Sequence, residues 1–447
     1  MPPSSQPELA RKLGLFDATM LVIGGIVGAG IFMNPYVVAR EVHSAALILG
    51  AWVFGGLVAL SGGFVYAELS ARRPSVGGQY AYFREAFHPA IAFLYGWALL
   101  LVIQTGGMAA VAMTFAHYFV SLTHVGLSEG AVALIALFLL TTLNCLGVRA
   151  GSNFQSAMTV LKMAAICLLV FAGFVWIDRP SIVWTPLLDR PFSGGLLGAF
   201  GASLVPVLFA YGGWQTACFI AGEVREPEKN LPRGLILGVL GVVALYLSVN
   251  LVCLYALGPE KLAQTKTPAS EVMRLALGEK GASLIALGIT ISTLGFLSQG
   301  MLTAPRVYFS MAQHGLFFKS VARIDPRTQV PTMAVVLQGL CASVIAMSGS
   351  YATILNYVVS VDFIFYGLAA ACVFIFRKRD ASSGRPSSFP VPGHPFTTLF
   401  FMVSCWIVVA TTVAKYPRDS LIGLGILAAG LPVYVFWSRR SATEKDP

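Results

Sequence analysis

Two stretches of the chain, Leu21-Val22-Ile23-Gly24-Gly25-Ile26-Val27-Gly28-Ala29-Gly30-Ile31-Phe32 and Leu204-Val205-Pro206-Val207-Leu208-Phe209-Ala210-Tyr211-Gly212-Gly213-Trp214, decide the fold. Each lies in an apolar run long enough for a helix, and each is broken by glycine. A glycine in a helix interior costs about 1 kcal/mol relative to alanine, so such clusters need a use. Close helix packing through small faces, as by Gly24 and Gly28, is one use. An unwound backbone is the other. Unwinding frees N–H groups at a half-helix N-terminus, which attracts an anion, and carbonyls at the preceding C-terminus, which accept from an ammonium group. The clusters occupy the first and sixth apolar runs, equivalent positions of two five-helix halves, and that pairing points to a carrier with a site near the bilayer midplane. A free amino acid, with a carboxylate and an ammonium group a few ångströms apart, suits two such breaks side by side.

The rest of the chain agrees with a membrane setting. Of 447 residues 56% are hydrophobic and only 11% charged, too few charges to coat a soluble domain. The same figures exclude disorder. Apolar runs fall at 13–38, 45–66, 91–120, 131–148, 157–177, 196–222, 235–257, 282–309, 332–348, 352–376, 396–414 and 421–437, with the ninth and tenth divided at Ser348-Gly349-Ser350. At roughly 20 residues per span, twelve transmembrane helices consume most of the chain.

The basic residues give those spans a direction. Assigned to alternating gaps, 20 lie on the side of the N-terminus, among them Arg72, Arg73, Arg306, Arg377 and Lys445, and nine on the other, among them Arg40, Arg179, Arg190 and Lys415. The positive-inside rule then places both termini in the cytoplasm. The net charge of +10 is thus topological, and no basic run with interleaved aromatics speaks for nucleic acid. The seven cysteines form no CxxC pair or metal spacing and read as small buried hydrophobes. No cofactor or metal site is expected, nor is a cleaved leader before the first apolar run.

These residues resemble a known family, the amino acid–polyamine–organocation superfamily, in its L-type amino acid transporter branch. The motifs are Gly28-Ala29-Gly30-Ile31-Phe32, Tyr66-Ala67-Glu68-Leu69, Pro74-Ser75-Val76-Gly77-Gly78-Gln79-Tyr80, Phe209-Ala210-Tyr211-Gly212-Gly213-Trp214, Glu223 to Pro232, and Arg306-Val307-Tyr308-Phe309-Ser310-Met311-Ala312. The resemblance covers about 12–440 and implies an all-α membrane protein of LeuT type. In it, helices 1–5 (13–177) and 6–10 (196–376) are inverted repeats, helices 11–12 (396–437) lie outside them, and the tails are 1–12 and 438–447. Carried over by residue, it implies that the substrate carboxylate meets the N–H groups of Gly28, Ala29 and Gly30. The amino group meets carbonyls of Ile26, Phe209 and Gly212, along the segment that includes Ala210 and Tyr211, and Phe209 closes over the substrate as a gate. Many relatives carry serine where this chain has Ala29, so here the carboxylate rests on backbone donors.

Two charges stand alone in apolar helices. Lys162 either serves function, the default for an intramembrane charge, or snorkels to the interface. The resemblance implies an ammonium group standing where some relatives bind sodium, hence sodium-independent transport by exchange or proton coupling, with Lys162 linking helices 1 and 5. Asp362 either hydrogen-bonds within the bundle or faces the substrate side chain. Asp17 and Glu68 read as interfacial, and the charged run from Glu223 to Arg233 as a solvated loop, with an inner-gate role as its alternative. The expected function is alternating-access transport of neutral L-amino acids, with a cationic amino acid or polyamine carrier and a non-transporting sensor as rivals. An enzyme is disfavoured by the lack of catalytic groupings at membrane depth. The loop 121–130 has no cysteine, so no disulfide-linked heavy chain is expected, and the lipid bilayer of a prokaryotic inner membrane is the expected setting.

Overall fold

The structure is a computed structural model and describes residues 11–177, 180–347, 351–382 and 387–443. Residues 1–10 and 444–447 of the tails, the Ser348-Gly349-Ser350 division, and Arg179, Arg385 and Lys445 lie outside the described residues.

Those residues form helices α1 (Leu15–Ile26), α2 (Gly30–Glu41), α3 (Ala45–Arg72), α4 (Gln79–Ala86), α5 (Pro89–Ala98), α6 (Gln104–Thr123), α7 (Glu129–Cys145), α8 (Val148–Val175), α9 (Gly194–Tyr211), α10 (Pro227–Leu262), α11 (Pro268–Thr303), α12 (Pro305–Gln313), α13 (Thr332–Ala346), α14 (Tyr351–Ser382), α15 (Phe396–Lys415) and α16 (Pro417–Thr443). Ten continuous or broken helical segments among the described residues are long and apolar enough to cross a membrane, and α7 and α13 are shorter apolar helices. Local chemistry sets the ends. Ser44, Ser128 and Ser193 accept from the N–H of Leu47, Ala131 and Leu196, satisfying donors that a helix start leaves open. Pro89, Pro227, Pro268, Pro305 and Pro417 stand in first turns, where no N–H is missed.

Three elements depart from the apolar pattern. The third run is not one regular helix: a π turn at Leu99–Ile103 joins α5 to α6, and the Thr105 hydroxyl donates to Leu100 O at 2.6 Å. The polar segment after helix 2 holds α4, whose Tyr80, Tyr82 and Phe83 are buried. Finally, α8 starts nine residues before the apolar run begins, because its polar first turns are covered by protein.

The broken helices α1/α2 and α9 with its 3₁₀ continuation Trp214–Glu223 pack with α3 and α10, while α8 and α6 lean on α11. On the face bearing the α2/α3 junction, the 180s loop is clipped down by His43 N–H to Asp189 Oδ2 at 2.9 Å and the Ser44 hydroxyl to Leu187 O at 2.7 Å. Burial opposes ionisation of Asp189, but Arg190 and the His43 N–H outweigh it and hold the carboxyl below its usual range.

One of the charged residues, Glu223, needs correction. Glu68, near the end of α3, is fully buried by protein and accepts from Arg72, from Arg377 twice and from Val391 N–H. Glu223 is not solvated: both it and Arg306 are fully buried, paired at 2.7 Å. Two buried charges are tolerable only when each satisfies the other. Arg225, Glu226, Glu228, Lys229 and Arg233 are exposed, as a loop reading requires, and half-buried Asp17 accepts from Gly14 N–H. Of the seven free cysteines four are buried, but Cys167 faces outward and Cys145 and Cys341 are half-covered.

Candidate functional site

Both breaks are present, and they differ in construction. In the first, α1 stops at Ile26, Val27 turns extended (φ −77°, ψ 97°) and α2 resumes at Gly30. The N–H groups of Gly28, Ala29 and Gly30 find no acceptor among the described residues, leaving three donors at the start of α2, the anion-attracting end of a helix. In the second, α9 stops at Tyr211, Gly212 is extended (φ −65°, ψ 160°), and Gly213 takes φ +113° before the 3₁₀ helix begins. That conformation is open to glycine and costly for other residues.

Gly213 also brings the two breaks together. A Cβ there would overlap Gly25 O, and one on Gly25 would lie 2.7 Å from Gly213 O. Below this crossing Gln299 donates to Thr216 Oγ1 at 2.6 Å, and that hydroxyl donates to Gly213 O at 2.6 Å. Above it the buried Tyr246 hydroxyl sits 3.1 Å from Ile26 O and 3.3 Å from Ala210 O, one proton shared between two freed carbonyls.

Lys162 is fully buried and does not snorkel. Its Nζ donates to Gly24 O at 3.0 Å and Val27 O at 2.5 Å, the carbonyls that α1 loses from its ladder as it stops. An ammonium group in low dielectric is held by such dipoles or not at all.

The two breaks wall a cavity of about 70 Å³. Ile26, Gly28, Ala29, Gly30, Phe209, Ala210 and Gly212 line it, with Phe209 half-buried at its side and Asp362 on its wall from α14. Tyr211 does not line it: its ring packs away from the opening, edge-on to Trp52 and beside Tyr246. Asp362 Oδ1 is buried with no hydrogen-bond partner. Sequence reading missed Tyr246, Thr216 and Gln299, and also Gln104, Gln215 and Phe296 of the lining. The signal for the polar ones was their presence in otherwise apolar helices.

Interrupted membrane helices that face each other across a cavity and leave their peptide groups open define a solute carrier. A sequence model described as "Amino acid permease" matches residues 13–429, and the chain belongs to that family. It is similar to the serine/threonine exchanger SteT of Bacillus subtilis, with 30% identity over 97% of this chain and 98% of that protein. It is also similar to mouse large neutral amino acids transporter small subunit 2, at 28% over 98% and 83%. Human b(0,+)-type amino acid transporter 1 matches at 27% over 96% and 89%. The protein is an amino acid transporter of this superfamily and not an enzyme.

Proposed function

We propose that the protein carries neutral L-amino acids by alternating access around the cavity between the two breaks, without sodium, as an exchanger. The observation that carries this reading is the pairing of open N–H groups at Gly28, Ala29 and Gly30 with a lysine ammonium already seated on Gly24 O and Val27 O. The donors suit a carboxylate. The lysine occupies the carbonyls that a bound cation at the break would need, which supports sodium independence. The Gly212 carbonyl, which meets no donor among the described residues, suits the amino group, and Phe209 suits a gate.

In this reading the chain spans the membrane twelve times as two inverted five-helix repeats, 13–177 and 196–376, with 396–437 outside them. Both termini are cytoplasmic, and a prokaryotic inner membrane is the setting. Mouse large neutral amino acids transporter small subunit 2 is named as a subunit. The cysteine-free loop 121–130 supports a chain that works without a disulfide-linked partner. A second reading, transport of cationic amino acids, is favoured by one observation, the unpartnered carboxylate oxygen of Asp362 on the cavity wall.

Counterflow of labelled amino acids into proteoliposomes tests the proposal, with arms in sodium, in choline and under an imposed proton gradient. Entry of neutral amino acids driven by unlabelled amino acid inside, equal in sodium and choline, is the expected result. Dependence on the proton gradient would replace exchange by proton coupling. No flux of any amino acid in any arm overturns the carrier and leaves the sensor.

A further inference from the structure

The first turns of α8 carry a polar stripe that the transport site does not account for. Ser152, Gln155, Ser156, Thr159 and Lys162 are all buried, on a helix whose neighbouring faces include exposed Val160 and Leu161. Their spacing of three and four residues lays them along one face, and that face meets α1. Three side chains along it donate to backbone carbonyls of the chain running through α1. Arg149 Nη1 reaches Lys12 O at 3.2 Å, Gln155 Nε2 reaches Met20 O at 2.9 Å, and Lys162 Nζ reaches Gly24 O and Val27 O. Thr159 Oγ1 accepts the second Gln155 proton at 2.9 Å. Gly24 makes room for this: a Cβ there would fall on the Gln155 amide.

The stripe also holds polar atoms that nothing satisfies. Ser152 Oγ, Ser156 Oγ and Gln155 Oε1 are buried without a hydrogen-bond partner. A seam that stayed shut would be better built from apolar residues, because orphaned buried polar groups are destabilising. A seam that parts to water during the cycle satisfies them when open.

We propose that Gln155 is a positioning residue for the first half of helix 1, a second rung beside Lys162 in a zipper between α1 and α8, and that the stripe 152–162 faces water when the zipper opens. The inference rests on the alternating-access reading. The rungs grip main-chain carbonyls, so the fastening is indifferent to the α1 side chains except at Gly24, where any side chain displaces the Gln155 amide. Opening must break the Arg149, Gln155 and Lys162 contacts together, and the unpaired atoms of the stripe lower the cost of doing so.

The test uses full-length protein in membrane vesicles with Ser152→Cys as reporter. A membrane-impermeant charged maleimide is applied to each face in turn, and the peptide carrying residue 152 is read by mass spectrometry. Slow reaction from the face that carries the start of α1, and none from the other, is expected. Gln155→Met, which keeps the bulk and removes the donor, is expected to raise that rate about fivefold, the worth of one net hydrogen bond. Gly24→Ala, whose Cβ would fall on the Gln155 amide, is expected to raise the rate at least as much. Buried Cys405 on α15 is expected to stay unreacted throughout, which separates seam opening from general loosening.

An unchanged rate in Gln155→Met or an equal gain at Cys405 overturns the proposal. Gly24→Ala alone carries the test should Gln155→Met not be recovered folded. Counterflow on the parent vesicles is scored separately: its absence removes the carrier reading, whereas flux with an insensitive residue 152 removes only the zipper.

Discussion

The two helix breaks look alike as glycine clusters, yet they use glycine for different purposes. In the break between α1 and α2, no backbone angle requires it. Gly28 makes room for the Phe296 ring, 3.1 Å from where a Cβ would sit, and Gly30 for the Ala210 Cβ at the same distance. In the break after α9, Gly213 stands at φ +113°, where a side chain strains the backbone whatever the space. The first break is a site of close approach whose open peptide groups line the cavity. The second is a conformational hinge that presses on the first through Gly25 O. One break can therefore be tuned by neighbouring side chains, and the other is fixed by its own backbone.

Substitution at the hinge gives the sharpest separation. Gly213→Ala combines left-handed strain of about 1–2 kcal/mol with overlap on Gly25 O, and overpacking adds about 1–3 kcal/mol more. Exchange in proteoliposomes is expected to fall below about one per cent of the parent. Near-normal exchange would show that the second break is no more constrained than the first. Next comes Lys162→Met, which strips Gly24 O and Val27 O of their donor while leaving both breaks in place. Each orphaned carbonyl costs about 1–3 kcal/mol, and a drop in exchange of about thirtyfold is expected. Wild-type rates would mean that the first break holds itself open without the lysine.

The glycine clusters, the lone Lys162 and the apolar runs were legible because each is a local pattern. What sequence left unread lies in pairings across the fold. Glu223 and Arg306 stand 83 residues apart, Tyr246 and Ile26 stand 220 apart, and no local period reports such distances. The same holds for α8: residues 149–156 fall in the gap between two apolar runs and are too polar for a lipid-facing helix. They are helical because α1 covers their polar face. Burial by protein overrode the hydropathy pattern, and only the three-and-four spacing of Ser152, Gln155, Thr159 and Lys162 hinted at it. The π turn at Leu99–Ile103 left no hint, since its residues are as apolar as the helices it joins.

The cavity wall gives a third, smaller difference. Asp362 belongs to α14 and so to neither break, and it lines the cavity with Oδ1 unpartnered. Asp362→Asn keeps the shape and removes the charge. Competition by lysine or arginine against a labelled neutral amino acid is expected to weaken about tenfold relative to competition by serine, with uptake of serine itself little changed. An unaltered order of competitors would return Asp362 to a structural role and leave selectivity to the breaks.

The smallest effect is expected where the two breaks are most easily told apart. Ala29 lies at the start of α2 in ordinary right-handed conformation, φ −74° and ψ −26°, and lines the cavity beside the open N–H groups. No backbone strain follows from giving it a hydroxyl, so Ala29→Ser adds one donor without moving the others. A net hydrogen bond is worth about 0.5–1.5 kcal/mol, which lowers the KM for exchange by about two- to tenfold with the maximal rate unchanged. The matching substitution in the other break, Gly213→Ser, places its Cβ in overlap with Gly25 O on a backbone at φ +113°, and should lower the rate instead. If Ala29→Ser impaired exchange as much as Gly213→Ser does, the first break would be as rigid as the second, and the distinction between a tunable break and a fixed one would fail.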